Sequence, residues 1–445
     1  MVSLYGWQWN RRRFGGIFEK ELKEFKSREA YTKQQWSDYT NKELKKILTH
    51  AFNQVLFYKN TWLSLDLTID NITTDSIQQL PFLTKEDLRK FSKTTLVSEN
   101  SKHEKSFFAS SGTTGTPTSI LFSKKMHQLW SAAYEARVRH WAGVDRYMGR
   151  GMIGGRRVVP DADARPPYYR YNNFENQVYF SAYHISRNNV QDYLNGIKKY
   201  KPAYMVGYAV SNYLLARFIQ EQKLQAPELK AVITSSEKLT TEMREVFADV
   251  YGCKTYDGWS GVEACGLVSE CEHGKLHISP DVGLIEILDK EGKPVQPGET
   301  GEVVCTGLLN YEQPLIRYKI GDYMTLAVDQ QCNCGREMPV IDDIIGRVED
   351  VVIGKDGREM VRFHGIFTDM DKIIMGQVVQ ERLDGITLNV VSETPLSVQD
   401  KEILTKRLYG QLGKVNVQIF ELKEIPCGAN GKYKSVISKV KRDNL

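Results

Sequence analysis

Apolar residues recur at helical spacing in the first part of the chain. Between residues 16 and 60, where Lys, Glu, Leu and Phe are frequent, Leu44, Leu48 and Ala51 lie three or four positions apart. Such spacing puts apolar side chains on one face of a helix, so this region is predicted to be helical. A further helix is expected after Thr84, since a threonine followed by acidic residues is typical of a helix N-terminus.

The pattern changes between about residues 105 and 345, where short runs rich in β-forming residues alternate with helical segments. The predicted strands include 203–207, 231–234, 284–288 and 301–305, and a helix is expected over 212–222. This alternation predicts an α/β body. Glycine and proline between the last two runs indicate a hairpin, and therefore a β-rich subdomain with antiparallel strands.

The last hundred residues have a third pattern, with a short strand at 351–353, a turn, and a helix expected over 398–412. We therefore predict a small, mobile α+β domain at 346–445 after a large N-terminal domain at 1–345. No internal repeat is evident in the sequence.

Composition and charge narrow the functional classes. The 445 residues are 41% hydrophobic and 26% charged, which is ordinary for a soluble globular chain of two or three domains. A net charge of +5, from 60 basic and 55 acidic residues, is too balanced to indicate nucleic acid as the main partner. The sequence contains neither an apolar stretch of about 18 to 20 residues nor an apolar signal core, so a cytoplasmic protein without a membrane span is expected.

A loop rich in hydroxyl side chains and glycine is the clearest chemical signal. Residues 110–118 contain two glycines, six serines or threonines and one proline. Backbone N–H groups and hydroxyls in such a loop can surround a polyphosphate, because a glycine has no Cβ to block close approach. It is not a Walker A loop, since no lysine follows within it. The alternative is an ordinary surface loop between strands.

Two further segments carry nucleotide-binding chemistry. Trp259 precedes Glu263 by four positions with a glycine between them, so an aromatic ring can stack on a base while the carboxylate holds Mg²⁺. Asp322 follows Gly321 at a strand end, where a carboxylate can accept both hydroxyls of a ribose. A core tryptophan beside an exposed turn, and an aspartate in a β-turn, are the structural alternatives.

Four residues have the chemistry of a metal site. Seven cysteines without an export signal favour free thiols or metal ligands over disulfides. Cys271 lies six residues before His277, and Cys332 two before Cys334, so three thiolates and one imidazole could hold a structural Zn²⁺. Reduced cysteines in a turn are the alternative, and His273, Cys265 or Cys253 could replace one of the four.

Three segments, taken in their order along the chain, resemble the adenylate-forming superfamily, which includes acyl-CoA synthetases and the adenylation domains of peptide synthetases. They are the hydroxyl-rich loop at 110–118, the segment from Trp259 to Glu263, and the segment that ends at Asp322. Residues 80–88, 110–117 and 314–318 look like the phenylacetate-CoA ligase branch. Within it, residues 270–274, 332–336 and 346–350 resemble the CapK-like members of capsule biosynthesis. The similarity covers nearly the whole chain from about residue 50.

The resemblance implies roles residue by residue. It implies a triphosphate loop at Ser110, Ser111, Gly112, Thr113, Thr114, Gly115 and Thr116, an adenine turn at Ser236 and Glu237, adenine stacking by Trp259, a Mg²⁺ ligand at Glu263 and a ribose carboxylate at Asp322. It also places Arg347 near the ribose and phosphates, Glu349 at the interdomain hinge, and Lys432, or its neighbour Lys434, in the adenylation step. The catalytic residues expected are Lys432, Glu263 and Arg347.

The implied activity is ATP-dependent adenylation of a carboxylic acid, release of pyrophosphate, and transfer of the acyl group to a thiol, with coenzyme A expected. An amine, a sugar or a carrier protein is the alternative acceptor, and a non-catalytic zinc protein that binds nucleotide is a third reading. Tyr183, His184, Gly207 and Tyr208 lie where the family builds its acyl pocket, which favours an aryl or compact acid. A homodimer is one candidate assembly.

Overall fold

The structure is a computed structural model of the chain. The described residues are 2–65, 68–101, 106–109, 118–156, 158–159, 165–237, 239–345, 352–354, 359–360, 364–367, 370, 372–392, 394–423, 425 and 436–440. The predicted sites at 110–116, Arg347, Glu349, Lys432 and Lys434 lie outside the described residues.

Helices form the first part of the chain, as the apolar spacing predicts. They are α1 (Val2–Phe14), α2 (Phe18–Ser27), α3 (Lys33–Gln54), α4 (Leu56–Trp62) and α5 (Lys85–Phe91). Leu44, Leu48 and Ala51 on α3 are fully buried, which confirms the predicted apolar face. Thr84 caps α5, since its hydroxyl accepts from the backbone N–H of Asp87 while the Asp87 carboxylate accepts from the N–H of Thr84.

A large mixed sheet forms the body of the protein. A separate hairpin consists of β1 (Phe107–Ala109) and β2 (Ser119–Leu121). The strands of the large sheet are β3 (Arg150–Gly154), β4 (Tyr169–Asn172), β5 (Gln177–Ser181), β6 (Tyr204–Tyr208), β7 (Ala231–Ser235), β8 (Lys254–Trp259), β9 (Val268–Glu270), β10 (Leu276–Ile278), β11 (Gly283–Leu288), β12 (Thr300–Gly307), β13 (Tyr318–Leu326) and β14 (Val340–Ile344). Their order is β11-β12-β13-β14-β10-β9-β8-β7-β6-β3-β5-β4.

The sheet has two halves with different strand directions. Strands β5, β3, β6, β7 and β8 pair in parallel. Strands β9 to β14 pair antiparallel, and β11 and β12 form the predicted hairpin. The helices between the parallel strands and before them are α6 (Lys124–Tyr134), α7 (Val190–Tyr200), α8 (Ala209–Glu221) and α9 (Thr241–Tyr251). The predicted α/β body with a β-rich subdomain is therefore confirmed.

A second, smaller sheet lies near the C-terminus. The elements there are β15 (Val352–Ile353), β16 (Glu359–Met360), α10 (His364–Phe367), β17 (Ile373–Arg382), β18 (Gly385–Ser392), α11 (Val398–Leu412), β19 (Asn416–Glu421) and β20 (Val436–Ser438). Four strands pair in the order β19-β18-β17-β20. Leu388, Leu404 and Leu408 belong to a hydrophobic cluster made mostly of residues from this region. The sheet fits a small α+β domain, whose boundary at residue 346 stays a prediction.

Buried ion pairs tie the N-terminal helices to the sheet body. The Asp281 carboxylate, fully buried, accepts hydrogen bonds at Oδ2 from Arg28 at 2.8 Å and from Arg137 at 3.0 Å. Arg137 also donates to Glu29 at 2.8 Å. Within the part of the chain that the structure describes, no helix is long and apolar enough to cross a membrane.

Candidate functional site

The carboxyl ends of the parallel strands bring the predicted site residues to one edge of the sheet. Ligands of open α/β sheets bind at this edge. Tyr183 and His184 follow β5, Gly207 and Tyr208 end β6, Ser236 and Glu237 follow β7, and Trp259 ends β8 with Glu263 close behind. Because these strands pair in parallel, segments up to 80 positions apart in sequence lie along the same edge of the sheet.

The turn after β7 is held in an uncommon backbone conformation. Ser236 has a φ of 75°, which a non-glycine residue adopts only where the surroundings enforce it. Glu237 Oε2 accepts a hydrogen bond of 2.9 Å from the backbone N–H of Val210, in the first turn of α8. The carboxylate therefore joins the predicted adenine turn to the chain that follows Gly207 and Tyr208.

Trp259 and Asp322 are in direct contact although they are 63 positions apart. The indole N–H of Trp259 donates to Asp322 Oδ2 at 3.0 Å. Trp259 is only 6% exposed and belongs to the main hydrophobic core. It therefore packs as a core tryptophan, which was the structural alternative. It also lies beside the predicted ribose carboxylate, and its role in stacking stays a prediction.

Glu263 lies in a tight loop between β8 and β9. It is 8% exposed, and Tyr318 donates a long hydrogen bond of 3.5 Å to its Oε1. A Cβ added at Gly261 would lie 2.3 Å from Glu263 Oε2, so a larger residue there would displace the end of this carboxylate. Ala264 has a φ of 48°. Carboxylate oxygens are among the ligands that Mg²⁺ prefers in proteins, so the residue type fits the predicted metal role.

Asp257, which the sequence did not single out, titrates near neutrality at the same edge. Burial raises the pKa of its carboxyl to about 7, although the N–H of Gly258 donates to Oδ1 at 2.9 Å. The nearby Glu270 carboxylate adds to this rise in pKa, and the Thr234 hydroxyl donates to Oδ1 at 3.3 Å. Asp257 is therefore sensitive to pH in the range where an enzyme would be assayed.

A cavity of about 450 Å³ lies against one face of the parallel strands, and we name it the sheet cavity. Met152 on β3 and Tyr179 on β5 are register partners that line it, together with Val206 on β6. Helices α1 and α6 form the opposite wall, and the loop with Gly261 and Val262 closes one end. Val262 and Ala264, on either side of Glu263 in the chain, therefore border a space large enough for a small organic acid.

Four residues predicted to form the acyl pocket do not line the sheet cavity. Tyr183 donates to the carbonyl of Gly155 at 3.0 Å and packs with the C-terminal hydrophobic cluster. His184, 2% exposed, stacks on Tyr168 with ring centroids 4.7 Å apart. Gly207 and Tyr208 end β6, beside Val206. Their contribution to acid binding stays a prediction.

The cysteine and histidine pairs come together, as the metal prediction requires. One ligand atom from each of Cys271, His277, Cys332 and Cys334 lies within 4.8 Å of all the others. The Sγ atoms of Cys271 and Cys332 are 3.6 Å apart, and Cys334 Sγ is 3.5 Å from His277 Nε2. Ligands about 2.3 Å from a tetrahedral Zn²⁺ are separated by about 3.8 Å, so the donor set fits zinc.

Surrounding groups orient the donor set. His277 Nδ1 lies 3.4 Å from the backbone carbonyl of Met338, which leaves Nε2 toward Cys334. Cys271 follows β9 and His277 is on β10, while Cys332 and Cys334 lie between β13 and β14. Among the alternatives kept open by the sequence, Cys265 lies against Cys305 instead.

Comparisons with known proteins agree with this architecture. The family model of the CapK C-terminal domain matches residues 352–439. The chain is 25% identical to Protein CapK of Staphylococcus aureus over 99% of this chain and 96% of that protein. It is also 25% identical to the phenylacetate-coenzyme A ligase of Thermus thermophilus over 70% of each chain.

Solved structures share the fold. A 2-hydroxyisobutyryl-CoA ligase in complex with 2-HIB-AMP and CoA aligns with a TM-score of 0.60 and 18% identity, covering 93% of this chain and 91% of that one. The same enzyme in its postadenylation state aligns with a TM-score of 0.58, covering 94% and 92%. The predicted fold class and the resemblance to adenylate-forming enzymes are therefore confirmed.

Proposed function

We propose that this protein adenylates a carboxylic acid with ATP, releases pyrophosphate, and transfers the acyl group to a thiol, which we take to be coenzyme A. The observation that carries the proposal is the loop that bears Glu263: its neighbours Val262 and Ala264 line the sheet cavity, at the edge where Trp259 contacts Asp322. The similarity to phenylacetate-coenzyme A ligases supports the same reaction class.

The chemistry explains the residue types at this edge. A carboxylate oxygen of the acid attacks the α-phosphorus of ATP, the bond to the β-phosphate oxygen breaks, and pyrophosphate leaves with its charge. Mg²⁺ held by Glu263 would neutralise charge on the phosphate oxygens during this step. Asp322 is proposed to accept the ribose hydroxyls, and Ser236 and Glu237 to contact the adenine edge. These roles rest on the resemblance together with the positions of the side chains.

The triphosphate loop at 110–116, Arg347 and Lys432 complete the proposed site. A lysine near the attacking carboxylate supplies a point charge to the transition state. Glu349 is proposed as the hinge about which the small domain at 346–445 turns before the thiol attacks. Transfer to an amine, a sugar or a carrier protein is the second candidate. The similarity to CapK covers 99% of this chain, and the resemblance to capsule-biosynthesis members favours an acceptor of this kind.

Pyrophosphate release tests the proposal. The purified protein is given ATP, Mg²⁺ and a panel of aryl and aliphatic acids, with and without coenzyme A. Lys432→Ala is expected to reduce acid-dependent release by about 100-fold or more. The matched control is Lys439→Ala, since Lys439 is an exposed lysine of the same segment that pairs with Glu381 at 2.7 Å.

The outcomes separate the candidate functions. Release that requires one acid and needs coenzyme A for repeated turnover supports the thiol ligase. Acid-dependent pyrophosphate release whose rate is unchanged by coenzyme A favours another acceptor. ATP binding without release in any acid of the panel would contradict adenylation and favour the non-catalytic reading.

We also propose that Cys271, His277, Cys332 and Cys334 hold a structural Zn²⁺. A closed set of four protein ligands leaves no position for substrate, so the ion would join the β9–β10 hairpin to the loop before β14. Elemental analysis of the purified chain is expected to give about one zinc per molecule, lost in Cys332→Ser and kept in Cys253→Ser. Failure of the apo-protein to bind added zinc would refute this proposal.

A further inference from the structure

The sheet cavity has an unusual charge for a site that binds an acid through one carboxylate. We infer that the acid bound there carries a second negatively charged group, a carboxylate or a phosphate, besides the carboxylate that is activated. This inference rests on the proposed adenylation, because it takes the sheet cavity to be the place where the acid lies. It assigns the substrate to a chemical class, the dianionic acids.

Four arginines line the sheet cavity: Arg13, Arg139, Arg150 and Arg156. Arg13 and Arg150 share one carboxylate, Glu175, at 3.4 and 3.7 Å. Arg139 pairs with Glu135. Among the described residues no carboxylate forms an ion pair with Arg156, whose guanidinium lies 4.8 Å from the ring centre of Tyr179. Among the described residues, two carboxylates thus pair with three of the four guanidiniums, and the fourth, that of Arg156, belongs to an exposed residue.

Glu175, the carboxylate that Arg13 and Arg150 share, also accepts hydrogen bonds from two other side chains. Glu175 Oε2 accepts hydrogen bonds from the Asn172 amide at 3.0 Å and from the Tyr179 hydroxyl at 3.2 Å. Glu175 is 4% exposed, as is Arg150. Glu175 is thus held by these donors, whereas Arg156 is exposed in the cavity lining, so its guanidinium can donate to a carboxylate or phosphate of a bound acid.

The arginines of the sheet cavity affect the pKa values of nearby side chains. Burial lowers the pKa of Arg150, and the nearby Arg139 guanidinium adds to the shift. Burial lowers the pKa of His127 to about 3, and the charges of Arg12 and Arg13 lower it further. His127 lines the cavity and is 8% exposed, so burial first, and the cations around it second, keep its imidazole neutral.

The second anionic group would bind at Arg156, whose guanidinium lies beside Tyr179 in the cavity lining. Arg156 follows the carboxyl end of β3, and Gly261 and Val262 follow the carboxyl end of the parallel strand β8, so both groups would bind near the same edge of the sheet. Trp130 and Phe108 lie in the same lining. An acid with a flat apolar body between its two charges matches this arrangement.

Matched pairs of acids test the inference. The probes are benzoate and terephthalate, phenylacetate and 4-carboxyphenylacetate, and butyrate and succinate, with 4-phosphonobenzoate to separate a phosphate-like group from a carboxylate. We expect the dianion of a pair to have a kcat/KM for pyrophosphate release at least about tenfold higher, as one charge-assisted hydrogen bond would give. Arg156→Gln should remove this preference, and Arg156→Lys should restore part of it.

The control variant is Arg165→Gln, which removes the same charge from an exposed arginine outside the cavity lining. Binding of each acid without ATP is measured in parallel from the shift in melting temperature. Tighter binding of a dianion, lost in Arg156→Gln and kept in Arg165→Gln, supports the inference even if no acid releases pyrophosphate, an outcome that would refute only the proposed function. The inference is wrong if no dianion in the panel is preferred over its monoanionic partner in either measurement.

Discussion

Replacing Asp281 by asparagine should destabilise the N-terminal domain far more than the same chemical change at the surface. Asp281 is fully buried as a side chain, and its Oδ2 neutralises two guanidiniums, those of Arg28 and Arg137. Asp281→Asn keeps the shape and removes the charge. Arg137 retains Glu29 at 2.8 Å, whereas the one carboxylate that stays paired with Arg28 among the described residues is the more distant Glu24, at 3.9 Å.

The expected magnitude follows from this geometry. Removing one partner of a buried ion pair costs about 3–5 kcal/mol, and the remaining contact to Glu29 favours the lower end, about 3 kcal/mol. At about 2.1 cal/mol/K per residue, the unfolding entropy of residues 1–345 is about 0.7 kcal/mol/K. The melting temperature should therefore fall by about 4 °C.

Glu221 provides the matched control, since it also lies between two arginines. Arg187 and Arg217 both contact it at 2.9 Å, but its side chain is 31% exposed. Glu221→Gln should cost at most about 1 kcal/mol, because water screens an exposed pair. The assay is calorimetry of both variants at low and high salt. Equal shifts in the two variants, or a shift for Asp281→Asn that disappears at high salt, would refute the reasoning.

Three further predictions concern the edge of the sheet and its pH dependence. The raised pKa of Asp257, about 7 against an ordinary 3.8, means that the folded state holds the proton more tightly, so stability falls as pH rises from about 4 to 7. Asp257→Asn should remove about 3 kcal/mol of the loss between pH 5 and pH 8, and an unchanged difference in unfolding free energy between these two pH values would contradict the assignment. Gly207→Ala should lower stability by at least about 2 kcal/mol, because φ is 133° and the new Cβ would lie 1.8 Å from the carbonyl oxygen of Ile153; Gly410→Ala, inside α11 with open space around it, should be neutral or stabilising in the same melts. Asp322→Asn should weaken ATP binding by about tenfold while leaving the melting temperature nearly unchanged, since an amide oxygen can still accept the Trp259 N–H; equal ATP affinity in a titration would argue against a ribose contact.

The order of local elements could be predicted from the chain alone. The spacing of Leu44 and Leu48 gave the buried face of α3, the polar residue at Thr84 gave the start of α5, and the predicted helix over 398–412 coincides with α11. These features depend on residues that are close in sequence, so periodicity and capping report them directly.

Only the tertiary structure decided which distant residues meet. The sequence suggested Trp259, Asp322 and the four metal-type ligands as separate signals, and strand pairing brought each set into contact. The sheet cavity escaped sequence analysis altogether, because its arginines come from α1, from the helical turn after α6, and from β3 and the residues that follow it. No local pattern marks such residues, since each is an ordinary arginine until the sheet and the helices place four of them around one space.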